Sequence, residues 1–140
     1  MEKETIKRIF YFLENKENKK HKDKGTLRWK FIFNEPLTKD ELIVNGDLNL
    51  ANSKITYLPE GLEINGSLDL RNCTSLTSLP EGLEIKGSLY LRNCTSLTSL
   101  PEGLKVEGFL DIKHTQLKNY TNDELRKMIY LGHIKGEIIR

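Results

Sequence analysis

Apolar and polar residues alternate along short stretches of the chain. Over positions 83–91, every second position is apolar or glycine, and these positions are Leu83, Ile85, Gly87, Leu89 and Leu91. A period of two is typical of a β-strand with one buried face. We therefore expect a nine-residue strand here, followed by a return segment from which Leu97 and Leu100 point inward.

This stretch belongs to a repeat of 20–21 residues that is marked by two short motifs. The motif Leu-Pro-Glu-Gly-Leu contains the prolines Pro59, Pro80 and Pro101, which are 21 residues apart. A box of the form Gly-x-Leu-x-Leu, with isoleucine at the end of its last copy, begins at Gly46, Gly66, Gly87 and Gly108. The fixed φ of proline and the permissive φ of glycine predict a turn at each Pro-Glu-Gly.

A single repeat cannot bury its own leucines, so neighbouring repeats must stack to form one continuous core. The sequence therefore predicts an α/β repeat protein, a short solenoid of about four parallel β rungs with a cap at each end. We expect a single domain over 1–140, in which 1–41 form the N-terminal cap, 42–117 the repeats and 118–140 the C-terminal cap.

Caps are expected because a bare solenoid end exposes apolar surface and unpaired strand edges. The N-terminal cap is predicted to contain a helix over roughly 4–17, whose apolar face carries Ile6, Ile9, Phe10 and Leu13. A strand is predicted to follow, with alternating bulky residues at Leu27, Trp29, Phe31 and Phe33. Thr38 and Glu41 fit a capping box that opens a turn before the first repeat.

The C-terminal cap is predicted to be helical. Thr121 and Glu124 form a second capping-box pattern, which lies ahead of the apolar residues Leu125, Met128 and Ile129. Gly132 is the expected end of this helix, because glycine often follows the last helical turn.

The composition predicts a cytoplasmic protein that does not enter a membrane. No stretch approaches the ~18 consecutive apolar residues of a membrane span. The charged N-terminus lacks the apolar segment of a signal peptide. Cys73 and Cys94 are too few for a secreted disulfide scaffold, so we expect both thiols to be buried and reduced.

The pattern Leu-x-Leu-x-x-Cys-x-x-Leu resembles the leucine-rich repeat, in which asparagine or cysteine forms a ladder behind the strand. Cys73 and Cys94 occupy that position, and Ser53 and Thr115 occupy it in the outer rungs. The arrangement LPEGL…GSLxL is similar to that of short leucine-rich repeat proteins of phages and bacteria, a family of unknown function. This resemblance implies the fold over most of 36–140, and it suggests a phage-type inhibitor or modulator of a host protein.

The chemistry-bearing residues form no recognisable catalytic or metal motif. His21, His114 and His133 are scattered, and His114 stands where other repeats have asparagine. Turn glutamates recur with the repeat, at Glu60, Glu81 and Glu102, without the glycine–aspartate signature of calcium-binding solenoids. We therefore predict that the protein is not an enzyme and uses no metal, cofactor or small-molecule substrate.

The outward positions of the strands differ between repeats, whereas the inward leucines are constant. The outward mixture places aromatic residues beside arginine and carboxylate, and tyrosine and arginine are enriched at protein interfaces. We expect a protein partner to bind at Asp69, Arg71, Ser88, Tyr90, Arg92, Phe109, Asp111 and Lys113. A merely solvated sheet surface is the alternative interpretation of these positions.

A basic N-terminal segment suggests nucleic-acid binding as a second candidate function. Residues 1–35 contain ten Lys or Arg and six Asp or Glu, whereas 36–116 contain seven and eleven. Lysines in a loop can bind phosphates, with an affinity that depends strongly on salt. This hypothesis assigns the binding to Lys19, Lys20, Lys22 and Lys24. Glu17 and Asp23 interrupt the segment, which also fits a solvated loop.

Overall fold

A computed structural model describes residues 30–32 and 37–140 of the chain. The chain divides into two units, Met1–Pro36 and Leu37–Arg140. Residues 30–32 of the first unit are helical, so the predicted strand through Phe31 is wrong at these positions. The remainder of that strand and the predicted helix over 4–17 lie outside the described residues, and the single-domain organisation stays a prediction.

The second unit forms two parallel sheets of five strands each. The first sheet contains, in spatial order, β1 (Ile43–Val44), β3 (Glu63–Ile64), β5 (Glu84–Ile85), β7 (Lys105–Val106) and β9 (His133–Ile134). The second sheet contains β2 (Leu48–Asn49), β4 (Leu68–Asp69), β6 (Leu89–Tyr90), β8 (Leu110–Asp111) and β10 (Ile138–Ile139). Successive strands such as β5 and β6 form one level of a parallel solenoid, which confirms the predicted architecture.

Each predicted nine-residue strand is in fact two strands of two residues that belong to different sheets. In the third level, a bend at Lys86–Gly87 separates β5 from β6. Gly87 donates its N–H to the carbonyl of Gly66 at 2.9 Å, and a Cβ on Gly87 would lie only 2.9 Å from the Gly66 carbonyl carbon. Alternation in the sequence does not reveal this bend, because both short strands bury alternate residues.

The core is a column of apolar side chains inside the coil. Its fully buried members include Leu68, Leu70, Leu76, Leu89, Leu91 and Leu97. Leu100 is also buried, which confirms the inward return segment. Burying one such side chain contributes about 1.5–3 kcal/mol, so stacking of levels provides the main stabilisation. Glycines with positive φ complete the predicted Pro-Glu-Gly turns, at Gly61, Gly82 and Gly103.

Capping boxes form at both predicted places in the second unit. The hydroxyl of Thr38 accepts the N–H of Glu41 at 3.2 Å, and the N–H of Thr38 donates to the Glu41 carboxylate at 3.3 Å. Thr121 and Glu124 make the same reciprocal pair at 3.1 and 3.0 Å. The second box starts helix α1 (Asn122–Ile129), which follows a 3-10 turn at Gln116–Asn119.

The C-terminal segment differs from the helical cap that the sequence predicts. Helix α1 ends at Ile129, and the positive φ belongs to Tyr130 rather than to Gly132, so the predicted stop at Gly132 is wrong. Gly132 instead packs against the backbone of Leu104, where a Cβ would lie 2.0 Å from the carbonyl oxygen. The chain then forms β9 and β10, which add a fifth level to both sheets.

Among the described residues, no helix is long and apolar enough to cross a membrane.

Candidate functional site

The eight predicted partner-binding residues lie on or beside the second sheet, and we call them the second-sheet face. They form three rows that cross adjacent levels: one row before each strand, one at the end of each strand, and one two residues later. These rows are Ser88 and Phe109; Asp69, Tyr90 and Asp111; and Arg71, Arg92 and Lys113. The coil therefore brings together residues that are up to 44 positions apart in the sequence, from Asp69 to Lys113.

Three side chains of the second-sheet face form an aromatic and cationic cluster. The rings of Tyr90 and Phe109 meet edge-to-face, with centroids 5.3 Å apart and an interplanar angle of 86°. The guanidinium carbon of Arg71 lies 5.6 Å from the centroid of the Tyr90 ring. An edge-to-face ring pair contributes about 0.5–1.5 kcal/mol beyond the area it buries. Because the side chains contact one another, they would lose less conformational freedom than isolated side chains if another molecule covered them.

The two carboxylates of the second-sheet face hold arginines in place rather than projecting into solvent. Asp69 accepts two hydrogen bonds from Arg71 Nε and one from Nη2, at 2.6–3.1 Å. Burial disfavours the charged form of Asp69, but the hydrogen bonds from the Arg71 side chain and backbone outweigh it and lower the pKa of this carboxyl. Asp111 accepts a hydrogen bond from Arg92 Nη2 at 3.2 Å, and Asp111 itself is only 4% exposed.

The predicted contact residue Ser88 is buried, and its side chain supports the stack. The hydroxyl of Ser67 accepts the N–H of Ser88 at 3.0 Å, and the hydroxyl of Ser88 accepts the N–H of Phe109 at 3.1 Å. Asp47 has the same role in the preceding level, where it accepts the N–H of Ser67 at 2.7 Å. Ser88 and Asp111 therefore lack the exposure that the sequence predicts. The small polar residue after three of the four box glycines, at Asp47, Ser67 and Ser88, was the signal for this ladder.

A ladder of asparagines borders the arginine row. Asn52, Asn72 and Asn93 all have positive φ, a region that asparagine tolerates better than most residues. The amide of Asn72 donates to the side-chain oxygen of Asn52 at 2.8 Å, and Asn93 donates to Asn72 at 2.7 Å. His114 continues the row as an exposed residue with a φ of 57°.

The arginine and asparagine rows enclose a shallow groove of about 320 Å³. We call it the arginine groove, and its lining residues are Ala51, Asn52, Arg71, Asn72, Arg92 and Asn93. No lining residue is acidic. The sequence contained both rows, but it did not show that the turn between them leaves a concave surface.

The predicted cysteine ladder is present, with both thiols buried and free. Cys73 donates its thiol to the carbonyl of Leu50 at 3.1 Å, and Cys94 donates to that of Leu70 at 3.0 Å. Burial, with a smaller contribution from the nearby Cys73, raises the pKa of Cys94 to about 12. A thiol held in its neutral form is a poor nucleophile and a poor metal ligand.

The outer surface of the first sheet carries an ionic cluster that was not predicted. Glu107 Oε1 lies 2.7 Å from His133 Nε2, and Lys135 pairs with the other carboxylate oxygen of Glu107. These contacts, that of Lys135 first, lower the pKa of Glu107 to about 2. On the same surface Lys105 contacts Glu84 at 3.2 Å, across adjacent levels. The cluster links β9 to the end of β7. Each of its named charged side chains is in an ion pair, which indicates a structural role.

The remaining predicted residues divide into two groups. Lys19, Lys20, Lys22 and Lys24, which carry the nucleic-acid hypothesis, lie outside the described residues. The turn glutamates Glu60, Glu81 and Glu102 are exposed. Within 30–32 and 37–140, no three His, Cys, Asp or Glu residues come close enough together to hold a metal ion.

Comparison of the chain with protein-family models, with curated proteins and with solved structures finds no match.

Proposed function

We propose that the protein binds a partner protein through the second-sheet face and that it acts by binding rather than by catalysis. The observation that carries this proposal is the cluster of Arg71, Tyr90 and Phe109. Arginine and tyrosine are among the residue types enriched at interface positions whose loss weakens binding strongly. Here they are partly exposed, and they contact one another on a frame of buried leucines.

The contrast between the inner and outer positions of the strands supports this interpretation. Leu68, Leu89 and Leu110 pair in register, and all three are buried. The outer residues in the same strands are Asp69, Tyr90 and Asp111, which differ in size and charge from level to level. Packing explains the constant leucines, whereas a solvated surface does not require an aromatic cluster.

The resemblance to short leucine-rich repeat proteins of phages and bacteria adds a narrower proposal. In this proposal the chain is a leucine-rich repeat protein, and its partner is a host protein that it inhibits or modulates. A reducing cytoplasm is the proposed location, because both cysteines are free and buried.

The proposal is tested by affinity capture with the full tagged chain from nuclease-treated lysate of the cells that produce it. The face variant Arg71→Ser/Tyr90→Ser removes one cation and one aromatic ring from the cluster. The matched control Tyr57→Ser/Lys86→Ser removes the same kinds of side chain at exposed positions elsewhere. Mass spectrometry then quantifies every captured protein, and circular dichroism establishes that both variants fold.

We expect the face variant to capture at least one protein about tenfold less than the wild type and the control do, because single interface anchors often contribute about 2 kcal/mol or more. Equal capture by the face variant and the control would overturn the proposal. A parallel capture from untreated lysate tests the alternative: proteins that the wild type captures there, but not from the nuclease-treated lysate, would support the nucleic-acid hypothesis instead.

A further inference from the structure

The arginine groove presents cations to solvent while their counter-ions are turned inward. The side chain of Arg71 is 49% exposed, whereas that of its partner Asp69 is 15% exposed. Arg92 and Asp111 show the same contrast, at 40% and 6%. A molecule that enters the groove therefore meets guanidinium groups before it meets carboxylates.

The two guanidinium groups keep unused hydrogen-bond donors. A guanidinium has five N–H groups and no acceptor. Arg71 donates from Nε and Nη2 to Asp69. Arg92 donates from Nη2 to Asp111, and its buried Nε has no hydrogen-bond partner among the described residues. The side-chain amide of Asn72 adds a donor to the same lining, since a primary amide has two N–H groups and only one is used on Asn52. The side chains that line the groove therefore still offer hydrogen-bond donors.

The cations also follow a regular line. Arg71, Arg92 and Lys113 occupy the same position in three successive levels, and levels of a parallel sheet are about 4.8 Å apart. Their spacing suits several anionic groups carried on one extended chain. Carboxylates fit best, because a carboxylate can accept two parallel hydrogen bonds from one guanidinium.

We propose that the arginine groove binds an acidic peptide segment of the partner protein, with aspartate or glutamate side chains on Arg71 and Arg92. This inference rests on the proposed function and specifies the chemistry of the bound segment. The groove favours a peptide over a nucleic acid for two reasons. Tyr90 already contacts both Arg71 and Phe109, which leaves it a poor platform for stacking a base. Asp69 and Asp111 also offset two of the three cations in the row, which leaves too few free charges for the many phosphate contacts on which nucleic-acid binding depends.

The experiment measures fluorescence anisotropy of a labelled peptide with four consecutive glutamates, against the full chain at low salt. A peptide with glutamines in place of the glutamates and a single-stranded oligothymidylate are the comparison probes. The groove variant is Arg71→Gln/Arg92→Gln. The matched control, Lys54→Gln/Lys86→Gln, removes two positive charges at exposed positions outside the groove.

Arg92→Gln leaves the buried Asp111 without its ion pair, so a second groove variant preserves that contact. Arg71→Gln/Lys113→Gln removes the two outer cations of the row and retains Arg92 with Asp111. Thermal unfolding monitored by circular dichroism shows which variants are folded at the temperature of the binding assay.

We expect the glutamate peptide to bind the wild type and the lysine control with equal affinity, and to bind each folded groove variant at least about tenfold more weakly. The glutamine peptide should not bind. No binding of the glutamate peptide, or equal binding of the glutamine peptide, or equal affinity for the groove variants, would each overturn the inference. Tighter binding of the oligothymidylate through the same arginines would replace the acidic peptide with a nucleic acid.

The two proposals fail separately. Suppose that the capture experiment finds a protein that depends on Arg71 and Tyr90, but the glutamate peptide does not bind. The inference about acidic peptides is then wrong and the proposed function stands. If the peptide binds through the arginines while no protein depends on the second-sheet face, the groove binds acidic groups but the proposed function is wrong.

Discussion

The hydroxyl oxygen of Ser67 lies 2.3 Å from the point where a Cβ on Gly87 would stand, one level further along the solenoid. The same oxygen accepts the N–H of Ser88, the residue that follows Gly87, at 3.0 Å. The next level repeats this relationship, with the Ser88 hydroxyl 2.3 Å from a Cβ on Gly108. The serine side chain of one level therefore occupies the space that a side chain on the glycine of the next level would need. This pairing of serine with glycine sets how closely two bends can stack.

Gly87→Ala tests this complementarity. The added methyl group would overlap both the Ser67 hydroxyl and the Ser67 backbone nitrogen, which lies at 2.8 Å, so a rotation of the serine alone cannot relieve the contact. We expect a loss of about 1–3 kcal/mol in the free energy of unfolding, the usual cost of overpacking. Urea unfolding measures this change.

The control for that substitution is Lys86→Ala, at the exposed neighbouring position of the same bend. It should change stability by less than about 0.5 kcal/mol, as most surface substitutions do. If Gly87→Ala is as stable as Lys86→Ala, the two bends do not stack as closely as described.

The asparagine ladder predicts that His114→Asn stabilises the protein. His114 has a positive φ close to that of Asn93, 57° against 63°, so an asparagine at 114 can donate its amide to the side-chain oxygen of Asn93. One such hydrogen bond contributes about 1 kcal/mol. The gain should appear as a higher midpoint of urea unfolding, with an unchanged slope of the free energy of unfolding against urea concentration.

His114→Ala is the matched control, because alanine tolerates positive φ poorly and cannot extend the ladder. The expected order of stability is the asparagine variant, then the wild type, then the alanine variant. An asparagine variant no more stable than the wild type would show that the ladder ends at Asn93.

The ionic cluster on the first sheet predicts a pH-dependent C-terminal level. Lys135 and His133 lower the pKa of Glu107 from 4.5 to about 2 in the folded protein. Folding therefore favours the charged carboxylate, and this contribution is fully present above about pH 4.5 and is lost as the pH falls towards 2. Lys135 also donates its backbone N–H to Val106, so its exchange rate reports whether β9 opens.

Glu107→Gln should reduce hydrogen-exchange protection of the Lys135 amide at about pH 5, relative to the wild type measured at the same pH. The difference should shrink progressively towards pH 2, where about half of the wild-type carboxyls are neutral. Glu102→Gln, at an exposed turn, serves as the charge-matched control and should not alter protection. A difference that persists unchanged at pH 2 would mean that Glu107 acts through packing rather than through its charge.

The pattern of residues along the chain was sufficient to predict much of the structure of the second unit. The spacing of Leu68, Leu89 and Leu110 predicted stacked parallel strands, and these residues pair in register. The capping box at Thr121 and Glu124 also followed from the residue types alone, because its hydrogen bonds join residues three positions apart. The capping box is a local contact, and the pairing of the leucines follows from the constant spacing of the repeat.

The candidate site was only partly predictable. The row of Asp69, Tyr90 and Asp111 follows from the register of the repeat, but the burial of Asp111 does not, because it depends on its neighbours in adjacent levels. Likewise the fifth level formed by β9 and β10 was missed. Its strands are 28 residues beyond β7 and β8, which breaks the 20–21-residue period.

The sequence by itself determined the periodic frame, because repeated leucines can be buried only by stacking one level on the next. Only the tertiary structure decided where each level bends and which outward side chains remain available. Those outcomes depend on contacts between levels, such as Ser67 against Gly87 and Arg92 on Asp111. A periodic sequence states which residues recur, but distances across the stack decide whether a polar side chain supports the coil or faces solvent.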